Sequence, residues 1–137
     1  MKKVDITFLP STKGNYFDDP LIIDWCNKLK DTLDFVNIFV PKNAEEAKIF
    51  LKKSNAAYGA LSEDLIDYCE NIEWLQAPQA APPPDFYYNR LIEHSMTVTN
   101  FRGIYNDHIS HHILAMVLSF SKSLNLSIHQ QSKTLWN

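Results

Sequence analysis

Glycine is scarce in this sequence, which has 137 residues and three glycines, at positions 14, 59 and 103. A Gly-x-Gly-x-x-Gly loop, which dinucleotide-binding folds use to hold a pyrophosphate, is therefore impossible within it. Cysteine is scarce as well. Cys26 and Cys69 are isolated in the sequence, with no second pair of ligands nearby, so we expect two buried free thiols and no zinc site.

Long apolar runs and a strong excess of one charge are also missing. No run approaches the ~20 residues needed to span a bilayer, and the apolar stretch near the N-terminus is too short for a signal peptide. The net charge is -3, so no basic stripe is available to neutralise the phosphates of a nucleic acid. We therefore expect a cytoplasmic domain that binds neither membrane nor nucleic acid.

What the sequence does contain is a regular alternation of short apolar segments and helical patterns. The segments predicted as strands are Lys3–Leu9, Asp34–Val40, Ala56–Leu61, Trp74–Ala77 and Met96–Asn100. Strands joined by helical crossovers predict a parallel sheet covered on both faces. We predict an α/β fold, a flavodoxin-like doubly wound sheet of five parallel strands, with a site at the carboxyl ends of the strands.

The helices are predicted from apolar periodicity and from start signals. Pro20 suits the first turn of a helix, and Asn43 with Glu46 has capping-box spacing. Shorter helices are expected from Ser62 to about Tyr68 and over Asp85–Glu93. A long helix runs from Asn106 to at least Leu124, so we divide the chain into a flavodoxin-like domain, 1–104, and a helical segment, 105–137.

The loop after the fourth predicted strand has an unusual run of prolines. Pro78 ends the strand, Gln79, Ala80 and Ala81 each carry a backbone N–H, and Pro82–Pro84 have none. Consecutive amides at the carboxyl end of a parallel strand can form a nest for an anion such as a carboxylate. The alternative is a rigid turn whose amides are satisfied internally or by water.

Two other patterns have ordinary explanations beside a functional one. Ser11–Asn15 has hydroxyls and amides that could hold a flavin phosphate, or it is a solvated loop. His108, His111 and His112 stand at the start of the long helix, where two at i and i+4 could bind a metal; histidines that pack against another domain are the better interpretation. The apolar stripe that marks the buried face of this helix consists of Ile109, Ile113, Met116, Val117, Phe120 and Leu124. We assign no metal ligand and no catalytic residue.

Three segments together resemble the N-terminal, substrate-side part of the D-isomer-specific 2-hydroxyacid dehydrogenases. They are Trp74-Leu-Gln-Ala-Pro-Gln-Ala-Ala, Met96-Thr-Val-Thr-Asn-Phe-Arg-Gly-Ile and Ile109-Ser-His-His-Ile-Leu-Ala-Met-Val-Leu. The resemblance covers essentially the whole chain. It implies a flavodoxin-like domain in an oxidoreductase that transfers hydride reversibly between a 2-hydroxy acid and NAD or NADP.

The resemblance also implies roles for particular residues. The backbone amides of Ala80 and Ala81, in the loop with Gln79, would hold the substrate carboxylate, and Ala60 and Leu61 would line the same cleft. Ile109 would lie near the nicotinamide, and the long helix would take part in a homodimer.

The chain departs from the family pattern in three respects. Ala81 stands where the family usually has Gly, and His111 stands where it has Glu. The family's Gly-rich cofactor domain and its catalytic Arg, Glu and His come later than the last residue here. We therefore expect an N-terminal fragment that is inactive alone and needs a cofactor domain or a second subunit. The alternative is a stand-alone flavodoxin-like module that binds a flavin or a small carboxylic acid.

Overall fold

A computed structural model describes residues 3–12, 17 and 19–135 of the chain. The strands are β1 (Val4–Phe8), β2 (Val36–Phe39), β3 (Ala56–Tyr58), β4 (Trp74–Gln76) and β5 (Thr97–Thr99). The helices are α1 (Pro20–Thr32), α2 (Ala44–Leu51), α3 (Asn89–Ile92), α4 (Asn106–Ser121) and α5 (Leu124–Ser132), with short 3₁₀ helices at Glu63–Tyr68 and Pro84–Phe86. Each strand lies inside its predicted segment and is shorter than it.

The sheet has the predicted topology. Its strand order is β2-β1-β3-β4-β5, and every neighbouring pair is parallel. The chain runs outward from β1 to β2, returns to β3, and continues through β4 to β5. The direction reverses between β1 and β3, which is where open α/β sheets commonly bind ligands, at the carboxyl ends of the strands.

Polar side chains cap the starts of the two longer helices in the sheet unit. The Asp19 side chain accepts a hydrogen bond of 2.9 Å from the N–H of Leu21 at the start of α1. At the start of α2, Oδ1 of Asn43 accepts one of 2.9 Å from the N–H of Glu46. Each cap satisfies an amide that has no partner inside the helix, so the sequence signals for both starts are confirmed.

Helices lie on both faces of the sheet, and each face has its own buried cluster. The larger cluster joins Leu9 and Leu75 of the sheet region to Leu51 of α2. The smaller one joins Ile22 and Cys26 of α1 to Ile38 of β2. Both cysteines are buried and free, as predicted.

The covering of β4 and β5 is incomplete. Leu75 is fully buried on one face, whereas Trp74 on the other face is 44% exposed and Thr99 is exposed. Nε1 of Trp74 donates a hydrogen bond of 2.7 Å to Oγ1 of Thr99, which donates one of the same length to Oε1 of Gln76. The expectation that both faces are covered therefore fails here, and these strands follow the alternating pattern of a half-exposed sheet.

The helix predicted over Asp85–Glu93 is wrong as one element. The structure has a 3₁₀ turn at Pro84–Phe86 and one α-helical turn, α3, separated by Tyr87 with φ -93° and ψ 61°. Prolines 82–84 fix φ and donate no backbone hydrogen bond, which limits how a continuous helix can start here.

The chain divides into two compact units, 1–101 and 102–137. The sequence placed the division after residue 104, and the continuation of the second unit toward a cofactor domain stays a prediction. That unit contains two helices instead of the single long one, because Ser123 adopts φ 49°, in the left-handed region. The left-handed conformation interrupts the right-handed helical path.

Neither α4 nor α5 contains a buried residue. The six side chains predicted to mark a buried face have exposures between 47%, for Leu124, and 71%, for Phe120. The prediction of burial is therefore wrong for this structure, although the periodicity correctly indicated a helix. Among the described residues, no helix is both long enough and apolar enough to cross a membrane.

Candidate functional site

Backbone hydrogen bonds hold the carboxyl ends of the inner strands side by side. The N–H of Leu9 donates to the carbonyl of Tyr58 at 2.7 Å, and the N–H of Gly59 donates to that of Gln76 at 3.0 Å. The N–H of Ala77 donates to the carbonyl of Thr99 at 2.8 Å. The loops that follow β1, β3 and β4 therefore start from one fixed edge of the sheet.

Gly59 allows an unusually close approach at this edge. Its φ is +117°, and a Cβ there would lie 2.5 Å from the carbonyl oxygen of Leu9 and 2.8 Å from that of Pro10. No side chain fits at that distance, so only glycine can occupy the position without a shift of the backbone. The next residue, Ala60, then donates its N–H to the Pro10 carbonyl at 2.8 Å.

A cleft of about 120 Å³ opens at this edge of the sheet. The apolar residues that line it are Ala60, Pro78, Pro83 and Phe86, and the polar ones are Ser11, Thr12, Gln79 and Asp85. These residues come from the loops after β1, β3 and β4. Ligand pockets for drug-sized molecules span about 300–1,000 Å³, so this cleft alone suits a ligand of a few heavy atoms.

The loop amides beside the cleft have no hydrogen-bond partner among the described residues. Before this loop, the last backbone N–H with a hydrogen-bond partner is that of Ala77. None of the N–H groups of Gln79, Ala80 and Ala81 donates to any described residue. Gln79 and Ala81 are exposed and Ala80 is partly exposed. These donors are therefore available to water or to a ligand.

The replacement of a family glycine by Ala81 causes no backbone strain. In the described part of the chain, the non-glycine residues with positive φ are Ser123 and Thr134. Ala81 accordingly has a conformation that residues with a Cβ ordinarily adopt. The loop therefore does not need the left-handed backbone conformation at position 81 that would favour a glycine there.

The structure distributes the predicted site residues over different places. Ala60 and Gln79 line the cleft, and Ala80 and Ala81 continue the same loop outside the lining. Leu61 is fully buried in the larger cluster, and Ile109 is 56% exposed on α4 of the second unit. The roles of all six residues as contacts to a substrate or cofactor stay predictions.

The sequence interpretation missed Asp85 and Phe86. Both residues line the cleft, and Phe86 is 3% exposed. Both were assigned to a regular helix, and the signal against that assignment was the proline run directly before them. Of the loop weighed as a phosphate cradle, Ser11 and Thr12 line the cleft, whereas residues 13–15 lie outside the described residues.

Buried ionisable groups near the site are structural. Burial raises the pKa of the Cys69 thiol to about 12 and that of the Cys26 thiol to about 11. Burial also raises the pKa of Tyr88, whose hydroxyl donates to the Ser62 carbonyl at 3.4 Å. A protonated buried thiol is a poor nucleophile, so neither cysteine is suited to covalent chemistry.

The histidines of α4 do not form a metal site with other described residues. His108, His111 and His112 are all exposed. Across the described part of the chain, no three His, Cys, Asp or Glu side chains come together in a way that could hold a metal ion.

Solved structures similar to this chain carry the fold that the sequence predicts. A D-isomer specific 2-hydroxyacid dehydrogenase family protein from Aeromonas salmonicida matches all of this chain and 41% of its own, with 20% identity and a TM-score of 0.61. A protein described in the same words from Klebsiella pneumoniae matches all of this chain and 41% of its own, with 16% identity and a TM-score of 0.57. An acyclic imino acid reductase, solved with NADPH and D-arginine, matches 96% of this chain and 42% of its own, with 20% identity and a TM-score of 0.54.

The likeness therefore extends over the whole fold of this chain and over about two fifths of each neighbour. No protein-family model matches the sequence, and the comparison with curated proteins gives no match. At these identities the likeness establishes the fold. The resemblance inferred from the three sequence segments is thus confirmed as a structural one, and activity is a separate question.

Proposed function

We propose that this chain is the substrate-side domain of an NAD(P)-dependent oxidoreductase of the D-2-hydroxyacid dehydrogenase type. Its task is to hold the carboxylate of a 2-oxo or 2-hydroxy acid on the backbone amides of Gln79, Ala80 and Ala81. The observation that carries the proposal is that these three consecutive amides have no hydrogen-bond partner among the described residues and follow β4 beside a cleft.

The proline residues on both sides make this loop a suitable anion site. Pro78 and Pro82 restrict the backbone on either side of the three donors, so little conformational entropy is lost when an anion binds. Hydrogen bonds to a charged acceptor are also stronger than those between neutral groups. A carboxylate bound there would place the rest of a small acid in the cleft, against Ala60 and Phe86.

In this proposal the chain binds the substrate and contributes no catalytic residue. Hydride transfer needs a nicotinamide cofactor, NAD or NADP, and an acid or base, which we assign to a dinucleotide-binding domain or second subunit that these residues do not include. The chain contributes binding and orientation, with Ala60 at the cleft, Leu61 buried in the larger cluster and Ile109 near the nicotinamide. One structural neighbour was solved with NADPH, which supports this choice of cofactor.

Assembly and location complete the proposal. The apolar side chains exposed on α4, including Ile113 and Phe120, support a homodimer formed through that helix. We further propose a cytoplasmic location.

The test is a titration of the purified 137-residue chain with glyoxylate or hydroxypyruvate, followed by amide NMR. We expect saturable shifts at Gln79, Ala80 and Ala81, and no NADH oxidation by the chain alone. Ala81→Pro removes one N–H donor and should weaken binding about tenfold or more, whereas the control Ala81→Gly keeps the donor and should bind within about twofold.

The outcomes separate the parts of this proposal. Binding that leaves residues 79–81 undisturbed would contradict the carboxylate site. Robust NADH oxidation by the chain alone would contradict the claim that catalysis needs a separate dinucleotide-binding domain or subunit. Purified protein that is yellow would favour the flavin-binding alternative, although a cleft of about 120 Å³ is small for a flavin.

A further inference from the structure

The volume of the cleft bears on which acids can bind there. We propose that the cleft accepts 2-oxo or 2-hydroxy acids whose side chain has at most about three carbon atoms, and that Ala60 is the residue that sets this limit. This inference rests on the proposed function, because it assumes that the substrate carboxylate binds at Gln79–Ala81.

The cleft has room for about as many atoms as a short acid contains. Its volume is about 120 Å³. An apolar cavity of about 150 Å³ holds one benzene molecule, with six heavy atoms, so this cleft holds about five. With the carboxylate on the loop amides, the other atoms of the acid are its second carbon, the oxygen on that carbon and the side chain. Room for about five heavy atoms therefore leaves space for about three side-chain carbons.

Several residues that line the cleft are held in place by the backbone or by the core. Pro78 and Pro83 have a fixed φ, and Phe86 is 3% exposed and belongs to the larger buried cluster. A displacement of Phe86 would leave a void in that cluster, and closely packed interiors resist such a change. The cleft therefore keeps close to its present volume when a ligand binds.

Ala60 has the smallest side chain among the described residues that line the cleft. Its N–H donates to the Pro10 carbonyl at 2.8 Å, and the N–H of Gly59 before it donates to the Gln76 carbonyl at 3.0 Å, so its backbone has a fixed position. Because Ala60 is 9% exposed and lines the cleft, the open space next to it is the cleft itself. Carbon atoms added at this position therefore take up space that a ligand would use.

The experiment measures, by amide NMR on the full 137-residue chain, the dissociation constants of an unbranched series of 2-oxo acids. Pyruvate, 2-oxobutanoate, 2-oxopentanoate and 2-oxohexanoate have the same charge, and each side chain is longer than the last by one methylene. A methylene that the cleft removes from water strengthens binding by up to about fourfold. We expect affinity to rise as far as 2-oxopentanoate and to level off or fall at 2-oxohexanoate. Phenylpyruvate, whose ring does not fit, should bind about tenfold more weakly than 2-oxopentanoate.

Two substitutions at Ala60 should move the limit in opposite directions. Ala60→Gly removes a methyl group from the lining, so the rise in affinity should continue to 2-oxohexanoate. Ala60→Val adds two methyl groups in place of hydrogens, so the rise should stop near pyruvate. Ala44→Val, the same change at the first residue of α2 and outside the lining, should leave the limit unchanged. If Ala60→Val does not fold, Ala60→Gly still tests the proposal.

Affinity that still rises at 2-oxohexanoate on the unmodified chain, affinity that is constant along the series, or a limit that Ala60→Gly leaves unchanged would each overturn the inference. In those cases the acids still bind and shift the amide signals of residues 79–81, so the proposed function stands. If no acid binds, or if binding leaves residues 79–81 undisturbed, the proposed function fails and this inference fails with it.

Discussion

In the first unit, residues 1–101, α1 and α2 each bury an apolar stripe, with Cys26 and Leu51 completely inaccessible. In the second unit, residues 102–137, every large apolar side chain described in α4 and α5 is exposed. Both units have helices with apolar periodicity, yet only the first contains the partner surface that buries it. Apolar periodicity therefore predicts which face of a helix is apolar, but it does not predict whether another surface covers that face.

The largest difference in stability should come from two glycines that both have positive φ but differ in their surroundings. Gly59 has φ +117° and its Cβ position lies 2.5 Å from the Leu9 carbonyl oxygen, whereas Gly103 has φ +94° and no atom within 4 Å of that position. Gly59→Ala combines backbone strain with steric overlap and should lower the free energy of unfolding by about 4 kcal/mol. Gly103→Ala involves strain alone and should cost about 1 kcal/mol.

Urea unfolding of both glycine variants measures this difference. Because Gly59 sets the path of Ala60, the Gly59 variant should also lose binding of small acids to any folded fraction. Equal costs for the two substitutions would show that the close approach to Leu9 is relaxed without penalty, and would remove the argument that this edge of the sheet is rigid.

The stability costs of two Leu→Ala substitutions, one in each unit, can be compared directly. Leu75 is fully buried, and Leu75→Ala should cost about 3 kcal/mol because it leaves a cavity in the larger cluster. Leu114 is 55% exposed on α4, and Leu114→Ala should cost less than about 0.5 kcal/mol.

The concentration dependence of that comparison tests the proposed dimer. If α4 is covered by a second copy in solution, the cost of Leu114→Ala should grow as protein concentration rises, since association stabilises the folded state by mass action. A cost for Leu114→Ala that stays small at all concentrations, with a monomeric mass, would contradict dimerisation through this helix.

The sequence was sufficient for features that depend on short-range chemistry. The apolar runs that end near Pro10 and Pro78 gave the strands, and the alternation of strands and helices gave the parallel order. The starts of α1 and α2 were visible because Pro20 suits a first helical turn and because Asn43 supplies an acceptor at a fixed spacing. The amides of Gln79–Ala81 stood out because the prolines around them donate no hydrogen bond.

Features that depend on distant parts of the chain were not predictable in the same way. The position of Asp85 in the cleft depends on how the chain folds back after Pro84, and on contacts of the Phe86 ring with the core. The break at Ser123 has no glycine or proline signal in the sequence. The exposure of α4 could not be read from periodicity, because burial requires a second surface.

The last comparison concerns thiol reactivity, which reports burial without unfolding the chain. Burial raises the pKa of the Cys26 thiol from 9.0 to about 11, so the thiolate fraction near neutral pH should fall about 100-fold. Cys69, with a pKa raised to about 12, should react still more slowly. A thiol introduced by Ser110→Cys on exposed α4 should react at the rate of an ordinary surface cysteine, and all three should react alike in urea. Labelling mapped by mass spectrometry measures these rates, and rapid native labelling of Cys26 or Cys69 would mean that the first unit opens as readily as the second.

The raised pKa of Cys26 also makes the free energy of unfolding depend on pH. Because the folded state disfavours the thiolate, the contribution of this thiol to stability is fully present below pH 9 and declines as pH rises toward 11.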